Sequence, residues 1–151
     1  MGSSDEGLIL RRKQRIEAPR ERVFALLTVT HELAQWWGPR DFTNPEVSLD
    51  LRVGGRYRIT MQPPNGAAFH LTGEFVEIDR PSRLRYTFDW EEPDPDDRTT
   101  VVDLVLDDLD GATMVSLIQG DFATAARLNL HQVGWTETLE KLAALAESST
   151  P

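Results

Sequence analysis

The 151-residue chain contains no cysteine, which excludes disulfide frameworks, cysteine zinc sites and thiol chemistry together. Positive charge is scarce. Sixteen Lys and Arg stand against 25 Asp and Glu, for a formal net charge of −9. That balance argues against a nucleic-acid groove, which needs clustered cations, and against docking on an anionic membrane. No run reaches the roughly 18 apolar residues of a membrane span. Met1–Gly7 has neither a basic nor an apolar stretch, so no secretory signal is read there and a cytoplasmic location is expected. Also missing are a nucleophile elbow, a phosphate-cradling glycine loop and a dinucleotide fingerprint. Hydrophobic residues still make up 40% of the chain, enough for one core, whereas two half-length domains would each be marginal. One domain over 8–147 is expected, with flexible ends at 1–7 and 148–151.

Leu8–Ile16 reads as a first strand whose centre, Arg11 to Arg15, is polar enough to suit a sheet edge. Pro19 can open a short helix carrying the stripe Val23, Phe24 and Leu27. Thr30 is the expected N-cap of a second short helix, with Leu33, Trp36 and Trp37 inward and Gly38-Pro39 ending it. From Glu46 the pattern changes to period two. Strands are expected at Glu46–Leu51, Arg56–Gln62, Phe69–Ile78, Leu84–Trp90, Thr99–Leu106 and Thr113–Gln119. Turn residues separate them, among them Gly54-Gly55, read as a two-residue hairpin turn. With no helical pattern between them, the strands should pair as an antiparallel meander. Its apolar face carries Tyr57, Ile59, Met61, Phe69, Leu71, Tyr86, Phe88, Trp90 and Leu104. The segment Thr124–Glu147 repeats Leu128, Trp135, Leu139, Leu142 and Ala146 on one helical stripe, and its length of about 36 Å can cover that face.

Strand, two short helices, six strands and a long helix (β-αα-β6-α) is the helix-grip order, an α+β fold in which a curved antiparallel sheet wraps a long C-terminal helix. Ile16-Glu17-Ala18-Pro19, Val23-Phe24, Leu33 and Trp36-Trp37-Gly38-Pro39 resemble the opening motif of the heat-shock chaperone ATPase activator family, in its C-terminal-domain type. Leu51 to Tyr57, then Leu71-Thr72-Gly73-Glu74-Phe75, then His131, Gly134-Trp135 and Leu139 continue the likeness over about Leu8 to Ala146. It is similar in fold to the birch-pollen allergen and START lipid-transfer proteins (the SRPBCC superfamily), and so implies an apolar ligand held between sheet and helix. The family's name implies a chaperone as the other partner, and the polyketide cyclases of related fold imply a cavity enzyme as a further alternative. Many relatives carry His near the end of the last strand; here Thr113, Leu117 and Gln119 occupy that pattern, and an amide cannot serve as a base near neutral pH.

The expected ligand-contacting residues are Trp36, Trp37, Tyr57, Ile59, Met61, Phe69, Leu71, Tyr86, Phe88, Trp90, Leu104, His131 and Trp135, with Gly73, Ala68 and Gly134 leaving room beside them. Each of these aromatics is equally readable as core. His131, Tyr57, Tyr86 and Glu74 are the candidate acids and bases, but no partner for any of them can be placed from spacing. Cofactors are not called for. The three histidines share no metal-like spacing, so no metal is expected. The acidic stretch Glu91–Asp97 lacks an EF-hand frame and holds two prolines, which reads as a mobile, solvated loop.

Overall fold

The computed structural model describes residues 7–148, so the expected flexible ends lie outside the described residues except for Gly7 and Ser148. The elements follow the expected order: β1 (Leu10–Ile16), α1 (Arg20–Thr28), α2 (Thr30–Trp36), β2 (Thr43–Leu49), β3 (Arg56–Gln62), β4 (Phe69–Asp79), β5 (Arg83–Trp90), β6 (Thr100–Asp108), β7 (Thr113–Gly120) and α3 (Ala125–Ser148). All seven strands form one curved antiparallel sheet in the order β1-β7-β6-β5-β4-β3-β2. The polar β1 is an edge strand. It pairs with β7 from Leu10–Gln119 to Ile16–Thr113. Bulges in β2 between Thr43 and Glu46, and in β4 between Phe75 and Glu77, break the register. Such bulges bend a strand and raise its twist, which helps a sheet wrap a helix.

Alternation fills the concave side with Tyr57, Ile59, Leu71, Leu84, Tyr86, Phe88, Val102, Leu104, Leu106, Val115 and Leu117, all buried. The convex side carries ion pairs such as Arg83 with Asp103, joined by two hydrogen bonds of 3.0 and 2.6 Å. α3 lies across the concave side, and its two halves differ. From Trp135 onward it buries Trp135, Thr138, Leu139, Leu142, Ala143 and Ala146, whereas no residue from Ala125 to Gly134 is fully buried.

Three local expectations need correction. Thr30 is not an N-cap: Val29 ends α1 and starts α2 with no side-chain cap, since the two helices follow each other without a linker. Trp36 is inward as expected, but it is packed into the core rather than open to a ligand. Its indole N–H donates to the Leu26 carbonyl at 2.7 Å, locking α2 onto α1 in the core, and the partly buried Arg22–Glu32 pair adds a second tie. Gly54-Gly55 is not a two-residue hairpin turn. Residues 50–55 link β2 to β3, the Gly55 N–H donates to the Arg52 carbonyl, and Gly54 alone has a positive φ, of 86°. Gly55 is required for a different reason: a Cβ there would collide with the Asp50 carbonyl oxygen.

Candidate functional site

A cleft of about 430 Å³ opens between the first half of α3, the ends of β3, β4 and β5, and the segment after α2. Trp37, Gly38, Pro39 and Phe42 form one wall, and Met61, Phe69, Phe88 and Trp90 come from the strands. Leu130, His131, Gly134, Trp135 and Thr138 descend from α3, and Glu92, Asp94, Asp97 and Arg127 form the rim. The walls are stiffened by edge-on ring pairs: Trp37 on Trp135 at 5.4 Å, Phe69 on Trp90 at 5.4 Å and Phe88 on Trp90 at 5.2 Å. Each such pair contributes about 0.5 to 1.5 kcal/mol beyond the area it buries. The space exists because small residues stand where a side chain would fill it. A Cβ on Gly134 would meet only Pro39 Cγ, at 3.8 Å, and Gly38, with φ of 89°, turns the chain away after α2.

One wall is set by a buried polar relay. Trp135 Nε1–H donates to Gln119 Oε1 at 2.7 Å, and the Gln119 amide N–H donates to Thr100 Oγ1 at 2.9 Å. Indole can only donate, so the amide's orientation follows from its partner. Gln119 therefore holds the Trp135 ring in position. His131 lies against Phe122, Phe88 and Trp90, at ring-centre distances of 4.9, 5.7 and 6.0 Å. Its Nδ1–H donates to the Arg127 carbonyl at 2.8 Å. Burial lowers its pKa and favours the neutral imidazole, against the opposing pull of the hydrogen bond to the Arg127 carbonyl.

The acidic loop is not free. Arg127, with a side chain only 15% exposed, is hydrogen-bonded by Nε to Asp97 at 2.9 Å and pairs with Asp94 at 3.3 Å and Asp96 at 3.9 Å. Glu91 takes a two-pronged contact from Arg58, at 2.8 and 2.9 Å. Glu92 accepts from the His70 backbone N–H at 2.9 Å and meets His70 Nδ1 at 2.6 Å. Prolines and charge suggested a mobile, solvated segment; residues 91–95 are exposed, yet Arg58 on β3, His70 on β4 and Arg127 on α3 tie the segment to the fold. His70, Glu91 and Glu92 bring ligand atoms within 4.8 Å of one another, yet both carboxylates are already engaged by Arg58 and His70.

Of the thirteen residues expected to contact a ligand, Trp37, Met61, Phe69, Phe88, Trp90, His131 and Trp135 line this cleft. Tyr57, Ile59 and Tyr86 instead border a separate void of only about 20 Å³ beneath α1 and α2. Leu71, Leu104 and Trp36 are packed into the core. Gly73 leaves no room either: the Tyr57 ring and the Thr87 carbonyl occupy the space beside it. The Tyr57 hydroxyl donates to that carbonyl at 2.6 Å. Burial raises the pKa of Tyr57 and of Tyr86, so both remain neutral phenols near neutral pH. Glu74 is on the convex side, 3.9 Å from Arg56, and is not an inner base. Arg127 and its three aspartates were missed. The signal was present, because an acidic loop of that density calls for a cation, and Arg127 lies one turn before His131 on α3.

Among the described residues no helix is long and apolar enough to cross a membrane. Among curated proteins none matches the chain. Solved structures of the same fold include a protein from Chromobacterium violaceum, 27% identical, with a TM-score of 0.83, covering 92% of this chain and 96% of that one. The AHSA1 protein from Silicibacter pomeroyi is also 27% identical, with a TM-score of 0.77 over 91% of this chain and 96% of that one. A protein from Arthrobacter aurescens, at 21% identity, matches in fold with a TM-score of 0.83 over 96% and 89%. The family model for Activator of Hsp90 ATPase homolog 1-like protein matches residues 17–147. That span takes in α1 to α3 and the whole cleft, and the chain belongs to this family.

Proposed function

We propose that the chain binds one small hydrophobic or amphipathic molecule in the cleft between α3 and the sheet. The observation that carries this reading is about 430 Å³ of space walled by Trp37, Phe42, Phe69, Phe88, Trp90 and Trp135 in an otherwise filled interior. Small-molecule sites are mostly apolar concavities of roughly 300 to 1,000 Å³ with a few fixed polar groups, a description that fits these walls and this rim. A plain packing defect would not need Gly134 on a helix, where glycine costs about 1 kcal/mol relative to alanine.

Filling the cleft from Gly134 tests the reading. Gly134→Leu should keep or raise the melting temperature, because it removes a helix glycine and its new Cβ meets only Pro39. It should also abolish binding of Nile red, a neutral apolar dye, which the native protein is expected to bind with a blue-shifted emission and a raised melting temperature. A native protein that fails to bind the dye at high micromolar concentration, or a Gly134→Leu protein that binds it unchanged, refutes the proposal. Chemical-shift changes confined to the outer surface on adding a chaperone, with none in the cleft, would move the function to the chaperone-docking reading that the family's name suggests.

A further inference from the structure

Taking the cleft as a ligand site, we infer that it selects molecules bearing a positive charge beside an apolar body, such as aryl-alkyl amines, over carboxylates of the same shape. The inference starts from the rim. Three carboxylates, Glu92, Asp94 and Asp97, line the cleft against a single guanidinium, Arg127. That guanidinium is not available to an anion. It is mostly buried and already engages Asp94, Asp96 and Asp97, so its charge is more than matched before any ligand arrives. An incoming carboxylate would have to displace an aspartate and desolvate its own charge, a double cost with no compensating partner.

The other ionisable group in the walls, His131, is packed against three aromatic rings, and that burial holds it toward its neutral form. Glu92 is fixed at the rim by two contacts to His70 and stays ionised, its pKa lowered chiefly by the His70 ring hydrogen bond. Asp94 is exposed and meets Arg127 from the solvent side. Below the rim the walls are largely aromatic and include three tryptophans, Trp37, Trp90 and Trp135. Tryptophan is the strongest ring partner for a cation, at about 0.5 to 2 kcal/mol depending on desolvation. A net charge of −9 over the chain adds a long-range field of the same sign. Aromatic walls alone would accept any flat apolar body. Combined with a carboxylate-rich rim, they favour one whose polar end is cationic.

The experiment is a comparison by titration calorimetry of three ligands with one apolar body: 2-(1-naphthyl)ethylamine, 2-(1-naphthyl)ethanol and 1-naphthylacetate. At low salt the native protein should bind the ammonium at least about tenfold more tightly than the carboxylate, with the alcohol between them, and raising the salt should narrow that gap. Glu92→Gln and Asp94→Asn, both at exposed side chains, should narrow it further, by weakening the ammonium more than the alcohol. Equal affinity for all three, tighter binding of the carboxylate, or a preference that neither salt nor the two variants reduces overturns this inference while leaving the cleft a ligand site. Failure of all three to bind overturns both the inference and the function on which it rests.

Discussion

Replacing Gln119 by methionine keeps the length of the side chain and removes its amide. Two hydrogen bonds are lost, the one accepted from Trp135 and the one given to Thr100, and all three side chains are buried. Leaving a buried donor or acceptor unpaired costs about 1 to 3 kcal/mol. The Thr100 oxygen loses one donor but keeps its own O–H to give, whereas the indole N–H, with its ring wedged against Trp37, is left without an acceptor. The expected loss is therefore about 3 kcal/mol. With an unfolding entropy near 2.1 cal/mol/K per residue over roughly 140 residues, that is a fall of about 10 °C in melting temperature. Calorimetric melts of the native protein, Gln119→Met, Trp135→Phe and the double variant complete a cycle. Trp135→Phe leaves the amide oxygen without its donor, so each single variant carries a penalty for an orphaned group. In the double variant neither the indole N–H nor its acceptor remains, so its cost should be about 1 to 2 kcal/mol smaller than the two single costs combined. Additive costs, with coupling below about 0.5 kcal/mol, would refute the claim that the relay holds Trp135 in place.

Gly55→Val should destabilise by about 3 kcal/mol, the upper end for overpacking, since the new Cβ meets the Asp50 carbonyl; an unchanged urea midpoint would refute that account of the turn. His131 titrates below the ordinary histidine value in the folded chain, so between that lowered value and about 6.5 the unfolded chain binds more protons and stability rises with pH. This contribution is complete above about pH 6.5 and is lost on acidification through the folded value. His131→Gln should flatten that part of the stability profile; a slope that persists unchanged in urea melts would assign it to other groups.

The strand reading came from alternation, and alternation is robust wherever one face is buried. Arg56–Gln62 has the same bounds in sequence and structure, and the polar centre of β1 placed that strand at an edge before any pairing was known. Alternation identifies a face but not which stretch of it is covered. Tyr57, Tyr86 and Leu104 share the concave side with Phe88 and Trp90, yet α1 and α2 close over the first group and leave the second beside open space. A helical wheel is blind in a similar way: it turned Trp36 inward, and inward proved to mean the Leu26 carbonyl on α1. The grip on the acidic loop joins Arg127 to residues some thirty positions earlier, a distance no periodicity spans.

The unequal halves of α3 separate what must be conserved for folding from what is free to vary. The half from Trp135 onward is committed to the core, where a lost methylene leaves a cavity and a large residue has no space. Positions 130, 131 and 134 border the cleft without being fully buried, so substitutions there meet a weaker folding constraint. A lineage built on this scaffold can therefore reshape one wall of the cleft within the first three turns of a single helix while inheriting the rest of the domain unaltered.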